Sequence, residues 1–215
     1  MSNKIKRIIL LGPQGAGKST QGSVMAKFLK LKEVSAGQIL RQAILKKGKL
    51  SRELKAYVTP GLLVPDGFVI DLVMRQLKKP TYKNGFIIDG FPRSLRQARI
   101  FDKQFSIDKV FNFDISDREA VRRLSGRLVC QRGHIWHIRH NPPRQKGICD
   151  ICGQLLFVRD DDRGRAIARR LAIYRRKTSK LLKYYKKSGK LVVINGEKPI
   201  KKISQSVIAY LKKNA

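Results

Sequence analysis

The stretch GPQGAGKST, Gly12 to Thr20, constrains this chain more than any other. It has the spacing G-x-x-x-x-G-K-[ST], with Gly12, Gly17, Lys18 and Ser19 at the set positions. An apolar run, RIILL, precedes it, and a segment with helical spacing of Val24, Met25, Phe28 and Leu29 follows. Strand, glycine loop, helix is the context in which this spacing means phosphate binding. Glycines let the backbone curl with its N–H groups inward, and the helix N-terminus adds partial positive charge. Lys18 supplies a point charge, and Ser19 an oxygen for magnesium.

The alternation continues beyond the loop. KEVS, GFIIDG, KVFNFDI and KLVVIN read as further strands. Helical spacing is expected over 18–30, 36–48, 51–60, 66–79, 94–105, 116–128, 162–189 and 200–213. Ser116 and Glu119 are placed as a capping box. Alternating strands and helices predict an α/β fold, a parallel sheet covered on both faces. Asp89 ends its strand at the carboxyl edge of that sheet, where open α/β folds bind ligands, and is a second candidate magnesium holder. From about Val129 to Val158 the pattern breaks into a Gly-, Pro-, Cys- and His-rich segment, which reads as an insertion.

Charge needs an explanation. The 215 residues carry 48 Lys and Arg against 15 Asp and Glu, a formal +33. A nucleic acid or other polyanion is one partner such a surface fits; a generally basic, solvated exterior is the other reading. Basic residues are spread along the chain, without the interleaved aromatics of a stacking platform. No apolar run reaches the roughly 18 residues that span a membrane, and the N-terminus lacks a signal-peptide pattern. Three cysteines, two of them spaced C-x-x-C, fit a reducing cytoplasm better than a disulfide framework. All three, with all three histidines, lie between Cys130 and Cys152.

GPQGAGKSTQ, VSAGQILR, GLLVPDG, GFIIDGFPRSLRQA, RLSGR, and NPP followed by CDIC occur in that order. Together they resemble the adenylate kinase family in its long-lid form, over nearly the whole chain. The resemblance implies magnesium-dependent phosphoryl transfer between ATP and AMP, giving two ADP, on a five-stranded parallel core of the P-loop type. It implies a core of 1–34, 65–126 and 162–215, a monophosphate-binding insert at 35–64 and a lid at 127–161. It also implies a monomer.

Residue by residue, the resemblance implies that Gly15, Ala16, Gly17, Lys18, Ser19 and Thr20 wrap the ATP phosphates. Arg41 and Arg93 would clamp the AMP phosphate, with Gly90 beside them and Gln97 at the adenine edge. Ala36, Leu62, Leu63 and Val64 would line the AMP side. Arg123 and Arg127 would reach ATP as the lid shuts, and Ile135 and Trp136 would pack on its base. Arg159 and Arg170 would flank the transferring group. Lys198 would contact the ATP adenine through its backbone. Phosphoryl transfer asks for positioning and charge neutralisation, which converging arginines supply.

Three positions depart from the family pattern. Ser35-Ala36-Gly37-Gln38 stands where the family has STGD, and Gly67 follows VPD where it has Glu. Ala36 lacks a hydroxyl for the AMP base and Gln38 a carboxylate for magnesium-bound water, so looser monophosphate selection is expected. In metal-bearing relatives, two C-x-x-C pairs hold structural zinc in the lid. Here Cys149 and Cys152 form the second pair, but the first keeps only Cys130. His134, at C-x-x-x-H, is the best replacement, giving Cys₃His. His137 also fits by chemistry, though it aligns with a lid histidine that is not a ligand; His140 is the outlier.

Two other classes compete. One is a kinase for a different or broader set of nucleoside monophosphates. The other is a nucleic-acid-binding zinc ribbon using ATP as a switch, in which DGFPR and VPDG would have no role.

Overall fold

A computed structural model describes residues 5–214 apart from Lys47 and Gly61. Its strands are β1 (Arg7–Leu11), β2 (Lys32–Ser35), β3 (Phe86–Asp89), β4 (Lys109–Asp114), β5 (Arg127–Val129), β6 (Ile135–His137) and β7 (Leu191–Asn195). Five of them form one parallel sheet in the order β2-β3-β1-β4-β7. The helices are α1 (Lys18–Leu29), α2 (Ala36–Leu45), α3 (Lys49–Val58), α4 (Asp66–Leu77), α5 (Leu95–Gln104), α6 (Asp117–Ser125), α7 (Gly164–Lys187) and α8 (Ile200–Asn214).

The two-residue period of β1 explains the layering. Ile9 and Leu11 point into one core with Phe86, Ile88, Phe101, Leu181 and Tyr185. Ile8 and Leu10 point into the other with Met25, Ile87, Phe111, Phe113 and Val207. A strand buried on both faces must be apolar at every position, which is why RIILL shows no polar alternation. Phe91, Phe101, Phe105 and Phe86 pack edge-on or tilted at centroid distances of 5.1–5.9 Å.

Parallel register sets Leu10 opposite Asp89, so β1 and β3 end side by side. The glycine loop and Asp89 therefore share the carboxyl edge of the sheet, with Ser35 beside Asp89 on β2.

Three expectations change. The helix expected over 116–128 stops at Ser125, and Arg127 begins the short antiparallel β5–β6 ribbon. The segment 129–158 is thus partly ordered as sheet; three-residue strands are too short to show a period. Only half of the expected capping box forms. Ser116 Oγ accepts from the Glu119 amide at 3.3 Å, but the Ser116 amide donates to Glu197 while Glu119 holds Arg122 and Arg123.

Candidate active site and lid metal centre

The loop between β1 and α1 needs its glycines. Gly12, Gly15 and Gly17 have φ of 144°, 84° and 82°. A Cβ on Gly12 would sit 2.6 Å from the Phe113 carbonyl oxygen. Lys18 folds back over this loop, its Nζ donating to the Gly12 and Pro13 carbonyls at 2.8 Å each. Burial lowers its pKa to about 8, with Asp89 opposing and Arg93, Arg127 and Arg170 adding to the shift. Ser19 Oγ donates to Asp89 Oδ2 at 3.0 Å. The other oxygen, Oδ1, is buried and has no hydrogen-bond partner among the described residues. A buried carboxylate oxygen left unpaired beside a hydroxyl is a fit place for a hard cation or its bound water.

Five arginines from five places along the chain converge in front of this loop. Arg93 Nε donates to the Gly90 carbonyl at 2.9 Å, keeping the guanidinium over the end of β3. Arg127 leaves β5 and pairs bidentately with Asp162 at 2.7 and 2.5 Å. Arg159 pairs with Asp161. Arg170, buried on the first turns of α7, donates to the Asp161 carbonyl at 2.6 Å and to Asp162 Oδ1 at 2.8 Å. Arg41 comes from α2, its pKa pulled down to about 9 by burial and then by Arg159, with Asp161 opposing. Arg93, Arg127 and Arg170 are lowered too, burial first and neighbouring cations after. Cations crowded and dried in this way are prepared for a polyanion.

Asp161 and Asp162 are the site residues that the motifs did not single out. Both are buried, and between them they fix three arginines. The signal was present: Asp160-Asp161-Asp162 is the one run of consecutive acidic residues in a strongly basic chain.

Two clefts meet here. One, of about 540 Å³, runs over Gly12 and Lys18; the other, of about 620 Å³, lies between Arg41, Val64 and Gln97. Both are lined by Leu63, Gly90, Arg93 and Arg170, which mark their common boundary. Gln97 is in the second cleft but already engaged. Its Oε1 accepts from the Arg93 amide at 2.6 Å and its Nε2 donates to Asp66 at 2.7 Å. Ala36 is buried at the start of α2, while Leu62 is exposed and Thr20 points to solvent. Arg123 extends from α6 to the Gly15 carbonyl at 3.5 Å. Lys198 is exposed in the turn after β7, where a Cβ on Gly196 would lie 3.6 Å from the Ala16 carbonyl oxygen.

In the lid, Cys130, His134, Cys149 and Cys152 bring one ligand atom each within 4.8 Å of one another. His134 Nδ1 is 3.4 Å from the sulfurs of both Cys130 and Cys149, and Cys152 Sγ is 3.6 Å from Cys130 Sγ. A tetrahedral ion bonded at about 2.3 Å to sulfur and 2.0 Å to nitrogen places its ligand atoms about 3.5–3.8 Å apart, so the set fits a closed metal centre. Two turns with left-handed glycines carry the pairs: Gly133 (φ 88°) between Cys130 and His134, and Gly153 (φ 69°) after Cys152.

His137 stands outside the cluster. Its Nδ1 accepts from the Arg139 and His140 amides at 3.0 and 3.2 Å. The Trp136 indole is also not presented as an outward base-packing surface. It is buried between Cys130 and Cys149 and donates to Cys149 Sγ at 3.4 Å. Only Ile135 of that pair exposes its side chain. Burial would raise the Cys149 thiol, but the indole N–H and the Ile151 and Cys152 amides outweigh it and bring the value down to about 6.

A phosphate loop at the carboxyl edge of a parallel sheet, an unpaired carboxylate oxygen beside it, and buried arginines between two clefts define a P-loop nucleotide phosphotransferase. The adenylate kinase family model matches residues 10–190. Similar proteins include the adenylate kinase of Methanothrix thermoacetophila, 42% identical over 211 residues, covering 96% of this chain and 98% of that one. The adenylate kinase of Methanocella arvoryzae is 41% identical over 215 residues, covering 97% and 100%. That of Caldicellulosiruptor bescii is 40% identical over 211 residues, covering 95% and 98%. The chain belongs to the adenylate kinase family and is a nucleoside monophosphate kinase.

Proposed function

We propose that this enzyme transfers the terminal phosphoryl group of magnesium-bound ATP to AMP, reversibly giving two ADP. The observation that carries the reading is the position of Arg93 and Arg170, which border both Lys18 of the phosphate loop and the cleft between Arg41, Val64 and Gln97. A triphosphate wrapped by the loop and a monophosphate in that cleft meet end to end there, with their reacting phosphates over the same cations.

In this reading, Gly15 to Thr20 and Arg123 hold the ATP phosphates, and the turn at Lys198 borders the adenine. Lys18 exchanges its two carbonyl partners for phosphate oxygens, whose negative charge favours its ammonium form. Arg41 and Arg93 hold the AMP phosphate, with its base between Ala36, Leu62, Leu63, Val64 and Gln97. Arg127, Arg159 and Arg170 stabilise the transferring group, kept in place by Asp161 and Asp162. Ser19 and Asp89 would hold magnesium, directly or through water, and the ion would neutralise phosphate charge. Residues 35–64 and 127–161 move as insert and lid on the remaining core. Their closure excludes water, the competing acceptor.

The lid cluster holds structural zinc. Four protein ligands leave no position for substrate, so the ion braces a small flap with little core of its own. Three closely packed thiols that must stay reduced suit the cytoplasm, and the enzyme acts as a monomer. Among the described residues, no helix is long and apolar enough to cross a membrane.

The test is an ADP-forming coupled assay with ATP and a panel of AMP, CMP, UMP and GMP. Ala36 offers no hydroxyl, and the Gln97 amide already has two partners, so measurable turnover of a second monophosphate is expected. No turnover with any monophosphate would overturn the assignment; sharp AMP preference would remove the looser selection alone.

A further inference from the structure

The charge of this protein has one ordered feature that phosphoryl transfer does not use. Helix α7 contains no Asp or Glu. Its buried side is Ile167, Arg170, Leu171, Thr178, Leu181 and Tyr185. On the opposite side, Arg165, Arg169, Arg176, Lys180, Lys183 and Lys187 are all exposed. At 3.6 residues per turn these six fall within a sector of about 60°, forming one straight stripe about 33 Å long. The ion pairs of α7 among the described residues belong to Arg170 and Arg175, neither of them on the stripe.

A solvated helix face ordinarily mixes signs, because like charges three or four residues apart destabilise it. Here Arg165 and Arg169, Arg176 and Lys180, and Lys183 and Lys187 are such pairs, and among the described residues no acid forms an ion pair with them. The neighbouring α5 extends the surface with exposed Arg96, Arg99 and Lys103. It is tied to α7 through Asp102, which accepts from the Tyr184 and Tyr185 hydroxyls.

We propose that this face of α7 docks the phosphate backbone of double-stranded nucleic acid. The stripe is as long as one duplex turn, about 34 Å. It presents cations without exposed aromatics, so it fits phosphates rather than stacked single-strand bases. It also lacks the apolar side chains that would enter a lipid surface.

The test is anisotropy of a labelled duplex of about 24 base pairs, titrated with full-length enzyme over a range of KCl, with magnesium and saturating ADP filling the nucleotide clefts. The expected slope of log K against log salt is about −4 to −5. The quadruple variant R176Q/K180Q/K183Q/K187Q should lose at least about tenfold in affinity at 100 mM salt and flatten the slope by about three to four. K201Q/K202Q/K212Q/K213Q on α8 removes the same charge and should lose no more than about threefold. Both should retain wild-type turnover, which certifies the fold; the double variant K180Q/K187Q, with a slope change of about two, stands in if the quadruple does not fold. Equal losses for the α7 and α8 variants would overturn the proposal, since bulk charge would then explain binding. So would absent duplex binding by the wild type at 100 mM salt, or tighter binding to anionic phospholipid vesicles than to duplex.

Discussion

The side-chain amide of Gln38, on α2, donates to the backbone carbonyl of Arg132, in the lid, at 3.2 Å. This contact bridges the segment that frames the second cleft and the turn that carries Cys130 and His134. Gly133 permits it: a Cβ there would approach Gln38 Nε2 to 2.8 Å. Gln38→Ala should therefore weaken the closed arrangement. An exposed neutral hydrogen bond is worth at most about 1 kcal/mol, so affinity for a bisubstrate dinucleotide should fall about two- to fivefold by calorimetry. Gln38→Asp should fall at least as far, because a carboxylate faces a carbonyl and cannot donate.

The lid cluster makes a separable prediction. Protein purified without chelator should contain one zinc per chain, measured by mass spectrometry of the metal. His134→Ala should lose it and melt several degrees lower, while His134→Cys should keep it. Trp136→Phe removes the indole N–H from Cys149 Sγ. It should weaken zinc about 10- to 100-fold in a competitive chelator titration, with the thiols still in place.

Asp162 presents no side-chain surface and holds both Arg127 and Arg170. Asp162→Asn leaves two guanidiniums facing a neutral amide, and loss of a buried partner of this kind costs about 3–5 kcal/mol. A large fall in thermal midpoint and in kcat is expected together. Asp161 adds a pH signature. Burial raises its pKa, but Arg170 and Arg159 outweigh that and hold it below the ordinary carboxylate value. Its stabilisation is therefore present above that ordinary value and lost as pH falls through the depressed one. The difference in denaturation midpoint between wild type and Asp161→Asn should be constant at neutral pH and shrink only in acid.

Glu33 behaves in the opposite sense. It lies under α1, where Ser23 Oγ is 3.0 Å from its carboxylate. Burial raises its pKa to about 7, with Ser23 opposing and Asp89 adding. The unfolded chain ionises this group near 4.5, so its favourable contribution is complete below that pH and gone above about 7. Glu33→Gln should leave the thermal midpoint nearly unchanged at pH 4.5 and raise it at pH 8.

Much of the site was legible because its chemistry is local. Gly12, Gly17, Lys18 and Ser19 work through a few adjacent residues, so spacing alone identifies the loop. The three cysteines and His134 were likewise close enough in sequence to name as a set. Asp161 and Asp162 were not, since a carboxylate is recognised as an arginine holder only when the arginines, up to 35 residues away, are seen beside it. Trp136 was assigned to a nucleotide face by its position in the lid; the ribbon turns its indole inward to Cys149 instead.

By itself, the amino-acid order determined the alternation of strand and helix, the phosphate loop, the Cys and His ligand set and the excess of positive charge. These follow from backbone preferences and side-chain spacing over a few residues. Only the tertiary structure decided that three arginines share two buried carboxylates, that Gln38 contacts the lid, and that among the described residues no acid from a neighbouring element pairs with the α7 stripe. Each of those depends on packing that brings distant segments together, and on burial that makes charges interact strongly once water is gone.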